Sequence, residues 1–586
     1  MLVKFLIWRI KHVNNKTFML VLAGLIGVIS GCAAVLLKET VHLIQHALTS
    51  DFDIEYANYF YFGFPLVGIL ITVLITKFAL KEKLGHGITQ ILYDISKKSS
   101  IIRRTKMYSR MLTSAITVGF GGSVGLEAPI VVTGSAIGSN VGRLMHLNYK
   151  KRTLLIGCGA AGAVSAIFNS PVAGVIFSLE VILADVTIAM FIPLLLASVT
   201  GALISLTLLG DDVLFSFKLV DSFEAIDTPY YVLLGVVCGL VSVYFTRITY
   251  KVEHLISKVG NVLGRAALGG ILLGLIIFVF PPIFGEGYNT IKLLLAGEGT
   301  DILNTSLFFG EVDNIGMVLV FILGVLLVKP VASALTIGSG GSGGIFAPSL
   351  FLGGITGFLF ASSSNVLGWG SMSTSNFTLV GMCGVMSGVL YAPLTAIFLI
   401  AEITSGYELF VPLMLVSAIS YSTSSIFEKH SLYTKHLIER GDLIQYDKDR
   451  QVLSQIDLSK IIEKDLLTIK PDANLGELVN LVKVSKRNIF PVVNEAQKLL
   501  GVVTLDDIRE IMFDTDKRDQ IKVQTLMTIP PTDVQPHENM QSVMSKFEKS
   551  GAWNLPVIEN GEYKGFLSKS RIFNTYRKKL MLHNRE

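Results

Sequence analysis

Thr117-Val-Gly-Phe-Gly-Gly-Ser-Val-Gly-Leu-Glu-Ala-Pro129 and Thr336-Ile-Gly-Ser-Gly-Gly-Ser-Gly-Gly-Ile-Phe-Ala-Pro348 are two copies of one pattern, T-x-G-x-G-G-S-x-G-x-x-A-P. The match runs on, since Gly134 and Gly138 follow Pro129 at the offsets at which Gly353 and Gly357 follow Pro348. Further along, Asn169-Ser-Pro171 and Tyr391-Ala-Pro393 each open an apolar run that closes on a carboxylate, Glu180 and Glu402. Two pairs at matched spacing mark an internal repeat. In an apolar chain, repeated segments interrupted by glycine and proline predict broken helices whose ends meet at a binding site near the membrane midplane.

The apolar setting is given by composition. Half the residues are hydrophobic (51%) and 16% are charged, against about 25% charged in a soluble domain, and the mean hydropathy is +0.58. The excess lies in residues 1 to about 430. Candidate spans, each near the ~20 residues that cross a bilayer, fall around 18–37, 60–80, 153–182, 187–209, 229–245, 266–285, 315–335, 376–402 and 407–425. The stretches 108–146 and 336–362 are too rich in glycine for plain spanning helices and read as pairs of short helices dipping in from opposite sides. Irregular backbone at that depth must line a cavity or be buried in protein. The expected fold class is therefore an all-α polytopic membrane domain with inverted-repeat broken helices over 17–435, its halves at about 17–209 and 229–425. Beyond a linker at 436–454, the charge density rises and strand-like runs such as Phe490-Pro-Val-Val493 and Leu499-Leu-Gly-Val-Val-Thr504 announce a soluble α/β module over 455–586.

At the other end, residues 1–16 mix Leu, Ile, Phe and Trp8 with Lys4, Arg9, Lys11 and Lys16, a pattern that suits an amphipathic helix on an anionic membrane surface. A cleavable signal peptide is the weaker reading, because no small-residue cleavage site precedes Thr17. The net charge of +5 is spread over ends and loops and does not indicate nucleic acid. Cys32, Cys158, Cys238 and Cys383 sit singly in apolar segments and are expected to act as small core hydrophobes. The histidines show no metal-ligand spacing.

Glycines before a helix let the backbone turn tightly and approach a ligand, while the first amide N–H groups of the helix stay unpaired and, with the helix dipole, favour an anion. Within the two repeated loops only Glu127 is ionisable, and Phe346 takes its place in the second copy. An ionised carboxylate in the membrane interior is costly and usually functional. Aimed at anion-stabilising helix ends, Glu127 could occupy an anion's place when charged and withdraw when protonated, which is a gate. A capping glutamate is the competing reading.

At these residues the sequence resembles the CLC family of chloride channels and proton-coupled chloride exchangers over nearly its whole length. Gly125-Leu-Glu-Ala-Pro129 is similar to the family's G-[KR]-E-G-P motif and Gly344-Ile-Phe-Ala-Pro348 to its G-x-F-x-P motif. The resemblance implies that Glu127 is the gating glutamate, that Gly125, Ile345 and Phe346 present backbone to the anion, and that Tyr433 offers it a hydroxyl. It implies one pore per subunit, a homodimer and a cytoplasmic C-terminal module. The compactness of that module, with little linker between its two units, suggests a prokaryotic plasma membrane, the bacterial inner membrane. Three positions depart from the family pattern. Gly85-His-Gly-Ile-Thr89 stands for G-S-G-I-P, so His86 replaces the anion-coordinating serine beside Gly87 and Ile88, which leaves chloride, nitrate and bicarbonate open. Val181 occupies the position at which coupled exchangers usually carry an internal proton-accepting glutamate, favouring passive conduction over exchange. Leu126 replaces the cation next to the gate.

The C-terminal part resembles a tandem CBS pair, at about 455–515 and 520–580, carried by Gly501-Val-Val-Thr-Leu-Asp-Asp507 and Gly565-Phe-Leu-Ser-Lys-Ser-Arg571. The resemblance implies a regulatory module often binding adenine nucleotide, with Thr504, Asp507 and Ser568 at matching positions. Arg571 replaces the second aspartate, so a structural or dimer-forming module is an equal reading. Because CBS pairs also serve cation transporters, that class is the remote alternative. It would require clustered membrane carboxylates, whereas Glu127, Glu180, Asp185 and Glu402 are scattered. No grouping of nucleophile, base and orienter suggests an enzyme.

Overall fold

The computed structural model of the chain describes residues 2–49, 54–81, 85, 87–183, 188–210, 223–296, 301–304, 315–404, 407–439, 453 and 456–585. It divides into two units, Met1–Leu443 and Ile444–Glu586. The first is helical, and among its described residues nine helices are long and apolar enough to cross a membrane.

The repeat seen in the sequence becomes a local two-fold in the backbone. Asn15–Thr49, Tyr149–Phe168 and Ile188–Leu209 pack on one another in the first half, as Thr228–Ser257, Thr374–Leu390 and Phe410–Phe427 do in the second. Each half also packs a loop-started helix, Glu127–Leu144 or Phe346–Val366, against its neighbour, and glycine makes that approach close enough. A Cβ on Gly159 would lie 1.9 Å from the carbonyl oxygen of Gly134; Gly353 and Gly381 stand in the same relation, at 2.4 Å each way. Because these are backbone contacts that no side chain can yield, Gly381→Val should fail to give a monodisperse species on size-exclusion chromatography in detergent. Overpacking alone costs about 1–3 kcal/mol, and here the helices themselves must part.

Across the two-fold the halves exchange hydrogen bonds in reciprocal pairs. Gly125 N–H donates to Gly344 O (2.9 Å) and Gly344 N–H to Gly125 O (2.8 Å). Ser123 N–H donates to Thr336 Oγ1 (3.2 Å), and Ser342 N–H to Thr117 Oγ1 (3.0 Å). The two carboxylates that close the proline-opened runs do the same at longer reach. Glu402 accepts from the amides of Val172 and Ala173 (2.9 and 2.8 Å), at the start of Pro171–Phe177. Glu180 accepts from those of Leu394 and Thr395 (3.2 and 2.8 Å) and from the Thr395 hydroxyl (2.7 Å), at the start of Pro393–Ile403. Each half thus supplies the anionic cap of the other half's helix N-terminus, where unpaired amides and the dipole call for one.

Several expected spans need correction. The stretches 153–182 and 376–402 are not continuous: Tyr149–Phe168 ends at Asn169 (φ 52°) and Thr374–Leu390 at Tyr391 (φ 61°), both left-handed, before a proline opens the next short helix. Proline at the first helical position suits the restart, and it disfavours helical backbone in the residue before it. The stretch 108–146 is the expected pair, Ser109–Gly119 and Glu127–Leu144. The stretch 336–362 is not, since Ile315–Gly338 is one long helix leading into the loop. Cys32 is exposed on the helical surface, unlike the buried Cys158, Cys238 and Cys383. At the N-terminus, Leu2–His12 is a separate helix with Ile7 and Trp8 exposed and Arg9 stacked 3.9 Å over the Phe18 ring. The expected linker falls largely outside the described residues, and Leu432–Glu439 continues helical into its start.

The second unit is two copies of one hairpin and helix arrangement. Ile489–Val493 pairs antiparallel with Leu499–Thr504, and Asn554–Glu559 with Glu562–Ser568. Parallel bridges Ile469 to Val492 and Val534 to Val557 begin a third strand in each. Glu463 exchanges backbone bonds with Phe566, and Thr528 with Val502, so the segment entering each copy is held by the other copy.

Candidate functional site

The loops that the two-fold brings together end in the helix starts Glu127 and Phe346. Phe346 is 1% exposed, its ring 5.3 Å from Phe168 and 6.2 Å from Phe177. Glu127 is equally buried. Its Oε1 accepts a hydrogen bond from the Tyr288 hydroxyl, and the amides of Glu127 itself and Ala347 face the carboxylate. Oε2, folded back over Gly125, has no hydrogen-bond partner. A Cβ on Gly125 would lie 2.0 Å from that oxygen and 2.7 Å from the Ala347 Cβ, so the position suits glycine.

Tyr433 is 3% exposed, its hydroxyl also unpartnered and within electrostatic reach of Glu127. Its backbone is tied down by Thr89, whose hydroxyl donates to Tyr433 O at 2.8 Å. The threonine that replaces the family's proline therefore joins the helix Gly87–Lys97 to Leu432–Glu439. Gly87 and Ile88 open that first helix, and both are buried. His86 lies outside the described residues. Glu127, Ile345, Phe346, Gly87, Ile88 and Tyr433, named from the sequence, are thus buried at helix starts or beside them, and two of their polar atoms remain unsatisfied. Buried polar atoms rarely stay unpaired without a functional reason.

The surroundings of Glu127 contain groups the sequence reading passed over. Glu286 accepts a hydrogen bond from the amide of Leu126 (3.0 Å). Lys329, fully buried, donates to Ser123 Oγ (2.9 Å) and to Gly285 O (3.3 Å). A signal was available: Gly285-Glu-Gly-Tyr-x-x-Ile291 repeats Gly85-His-Gly-Ile-x-x-Ile91, and Arg110 and Lys329 precede Glu127 and Phe346 at one spacing. The structure gives the two cations one job, since Arg110 Nη1 donates to Gly85 O (3.1 Å) as Lys329 does to Gly285 O. Leu126, which replaces a family cation, is buried.

Val181 lies half-buried in the π-helical turn Ser178–Ile182 beside the capping Glu180. In the second unit, Thr504 and Asp507 are a reciprocal capping box: Thr504 N–H and Oγ1–H both donate to Asp507 Oδ2 at 2.7 Å. Ser568 donates to Glu463 (2.6 Å) and accepts from the amide of Arg571 (3.2 Å).

Broken helices from two inverted repeats, meeting at a buried carboxylate, define a membrane transport protein. The model of the voltage gated chloride channel family matches residues 67–425, and that of the CBS domain matches 458–514 and 523–578; the chain belongs to the voltage gated chloride channel (CLC) family of anion-transport proteins and carries two CBS domains. It is 28% identical over 489 residues to chloride channel protein CLC-f of Arabidopsis thaliana, a match that covers 73% of this chain and 61% of that relative. It is 26% identical over 436 residues to a putative chloride channel protein ClcB-like of Ralstonia nicotianae, covering 72% and 97%. Among solved structures, a slow cyanobacterial Cl−/H+ antiporter shares the fold with a TM-score of 0.63 at 21% identity, covering 74% of this chain and all of that one.

Proposed function

We propose that this protein lets chloride, or a small anion like it, move passively through one pore in each subunit of a homodimer, and that Glu127 is the gate. The observation that carries the reading is the asymmetry at the two-fold: a buried carboxylate at one helix start and a phenyl ring at the equivalent start. Ionised, Glu127 holds the place an anion would take among the amides of the helix starts; protonated, it loses that attraction and yields the place. Gly125, Gly87, Ile88, Ile345 and Phe346 supply backbone and Tyr433 a hydroxyl, while His86 offers a further donor. The anion is substrate, and no catalytic step on it is involved.

Passive conduction is supported by Val181, which has no proton to give or take, and by Glu180, whose carboxylate is engaged by three donors. Coupled exchange with protons is the second reading, favoured by the likeness to an antiporter. The test is proton movement in proteoliposomes during chloride efflux. None is expected from the wild type, and uphill proton pumping would reverse the order of the two readings. A second expected result is local: Gly125→Ala puts a methyl group 2.0 Å from the resting Oε2, so the carboxylate must leave its site and efflux at neutral pH should rise toward that of a variant lacking Glu127.

The CBS pair belongs on the cytoplasmic side of a bacterial inner membrane in this reading, and its role is structural rather than nucleotide sensing. Thr504 and one carboxylate oxygen of Asp507 are engaged with each other. Isothermal titration of the full-length protein with ATP, ADP and AMP is expected to give no saturable heat at millimolar ligand; saturable heat would restore nucleotide control.

A further inference from the structure

We propose that a cavity between the N-terminal helix and the turn at the far end of the helix that starts at Glu127 binds the phosphate-bearing headgroup of an anionic lipid. The site does not depend on how the pore is gated. Leu2–His12 meets the turn that joins Glu127–Leu144 to Tyr149–Phe168, and a cavity of about 310 Å³ lies between them. Arg9, Lys151, His146 and Asn148 form its polar lining, with Leu6 and Met145 on its apolar side.

Arg9 carries the inference. It is 8% exposed, its guanidinium stacks 3.9 Å over the Phe18 ring, and Nη2 donates to Asn15 Oδ1 (2.6 Å). Both of those partners are neutral, and Nε is buried with no hydrogen-bond partner. Arginine is seldom buried so far without an anion to match its charge. The chain around it adds only more positive charge, since residues 1–16 and 143–153 together carry eight Lys and Arg and no Asp or Glu. The turn that faces it is firmly held. Arg152 Nη2 donates to Leu147 O (2.9 Å) and Nη1 to Ser99 O (3.0 Å), while Asn148 caps the next helix by accepting from the Lys151 amide (3.0 Å). That helix runs for 20 residues, so the positive end of its dipole adds to the field at the cavity.

The apolar groups point to a lipid as the source of the anion. Ile7, Trp8 and Leu144 are exposed on the same two elements. Tryptophan and apolar side chains among cations suit the headgroup level of a bilayer, and basic clusters beside spanning helices recognise anionic lipid. Free phosphate would engage the cations alone, whereas the glycerol and first acyl carbons of a lipid also cover Leu6 and Met145.

The test uses the full-length protein, stripped of lipid in dodecyl maltoside and titrated with phosphatidylglycerol, with bound lipid counted by native mass spectrometry. The detergent carries no charge, so attraction to an anionic surface does not register. Saturable binding of phosphatidylglycerol is expected, with phosphatidylcholine, which has no net charge, far weaker. Lys151→Gln keeps the backbone bond to Asn148 and should weaken binding about fivefold, the factor that corresponds to the ~1 kcal/mol a cation contributes beside anionic lipid. Lys11→Gln removes the same charge from an exposed position outside the cavity and should leave binding unchanged. Arg9→Gln should abolish saturable binding; it also loses the Phe18 contact, so the two lysine variants decide if it folds poorly. Wild-type affinity in Lys151→Gln, equal losses in Lys151→Gln and Lys11→Gln, or phosphatidylcholine bound as tightly overturns the proposal. Inorganic phosphate, titrated calorimetrically into the lipid-free protein, is expected to give no saturable heat. Saturable heat that Lys151→Gln reduces would make the cavity a site for a free anion and overturn the lipid assignment.

Discussion

Glu127→Ala is expected to raise chloride efflux from proteoliposomes at neutral pH by about tenfold or more, because in the proposed gate it removes the charged group that holds the anion's place at the helix starts. The magnitude follows from the barrier. Displacing a hydrogen-bonded buried carboxylate costs at least the ~1.4 kcal/mol that corresponds to a tenfold change in rate, and charged hydrogen bonds run to about 1.5–3 kcal/mol. Alanine leaves Tyr288 without its acceptor but keeps the backbone amides, so the pathway stays open to anions. The same variant should lose most of the acid activation of the wild type, since the proton that opens the gate has nowhere to bind. Efflux followed with a chloride electrode, at several external pH values, checks both. A variant with wild-type flux would mean that Glu127 is a structural cap, the reading that its position at a helix start also permits.

The second large effect is on stability. Glu402→Ala strips the anionic cap from Pro171–Phe177, leaving the amides of Val172 and Ala173 without their acceptor. Two charge-assisted bonds, partly exposed, put the loss at about 2–4 kcal/mol. Glu180→Ala should do the same to Pro393–Ile403, and each damages the half opposite to the one mutated. Glu402→Gln retains one acceptor oxygen and should fall between. The midpoint of thermal unfolding in detergent, read by size-exclusion after heating, orders the three. A Glu402→Ala protein as stable as the wild type would show that water replaces the cap at no cost, and the reciprocal capping would lose its structural meaning.

These two expectations also mark how far the sequence could be read. The repeat T-x-G-x-G-G-S-x-G-x-x-A-P is legible because the chemistry at the two-fold leaves little choice. Glycines that touch backbone to backbone and threonines that bond the opposite loop are fixed residue by residue, so the pattern survives in both copies. The pairing of Glu180 with Glu402 was visible as spacing, but not as exchange, because a cap supplied by the other half leaves no mark in local sequence. The breaks at Asn169 and Tyr391 were obscured by the apolar runs on either side, although each precedes a proline by two residues and adopts φ above 50°. Glu286, Tyr288 and Lys329 escaped notice for a different reason. Their repeat, Gly-x-Gly followed by an apolar or aromatic residue, is short, and its two copies differ in their chemistry, His against Glu and Ile against Tyr. Only the hydrogen bonds to Leu126, Glu127 and Gly285 reveal that the second copy closes over Glu127. The capping box at Thr504 adds a local role that the sequence reading did not name: Thr504 and Asp507, read as possible nucleotide contacts, also close the first turn of a short helix on each other.

The most direct test of the whole account is the reversal potential of the purified protein in a planar bilayer under a chloride gradient, with and without an added pH gradient. The account predicts a value at the chloride Nernst potential that the pH gradient leaves in place, as befits a pore with valine at position 181 and a carboxylate gate at its mouth. A reversal potential displaced by the proton gradient would contradict it and make this protein a coupled exchanger, with its inner proton route somewhere other than Val181.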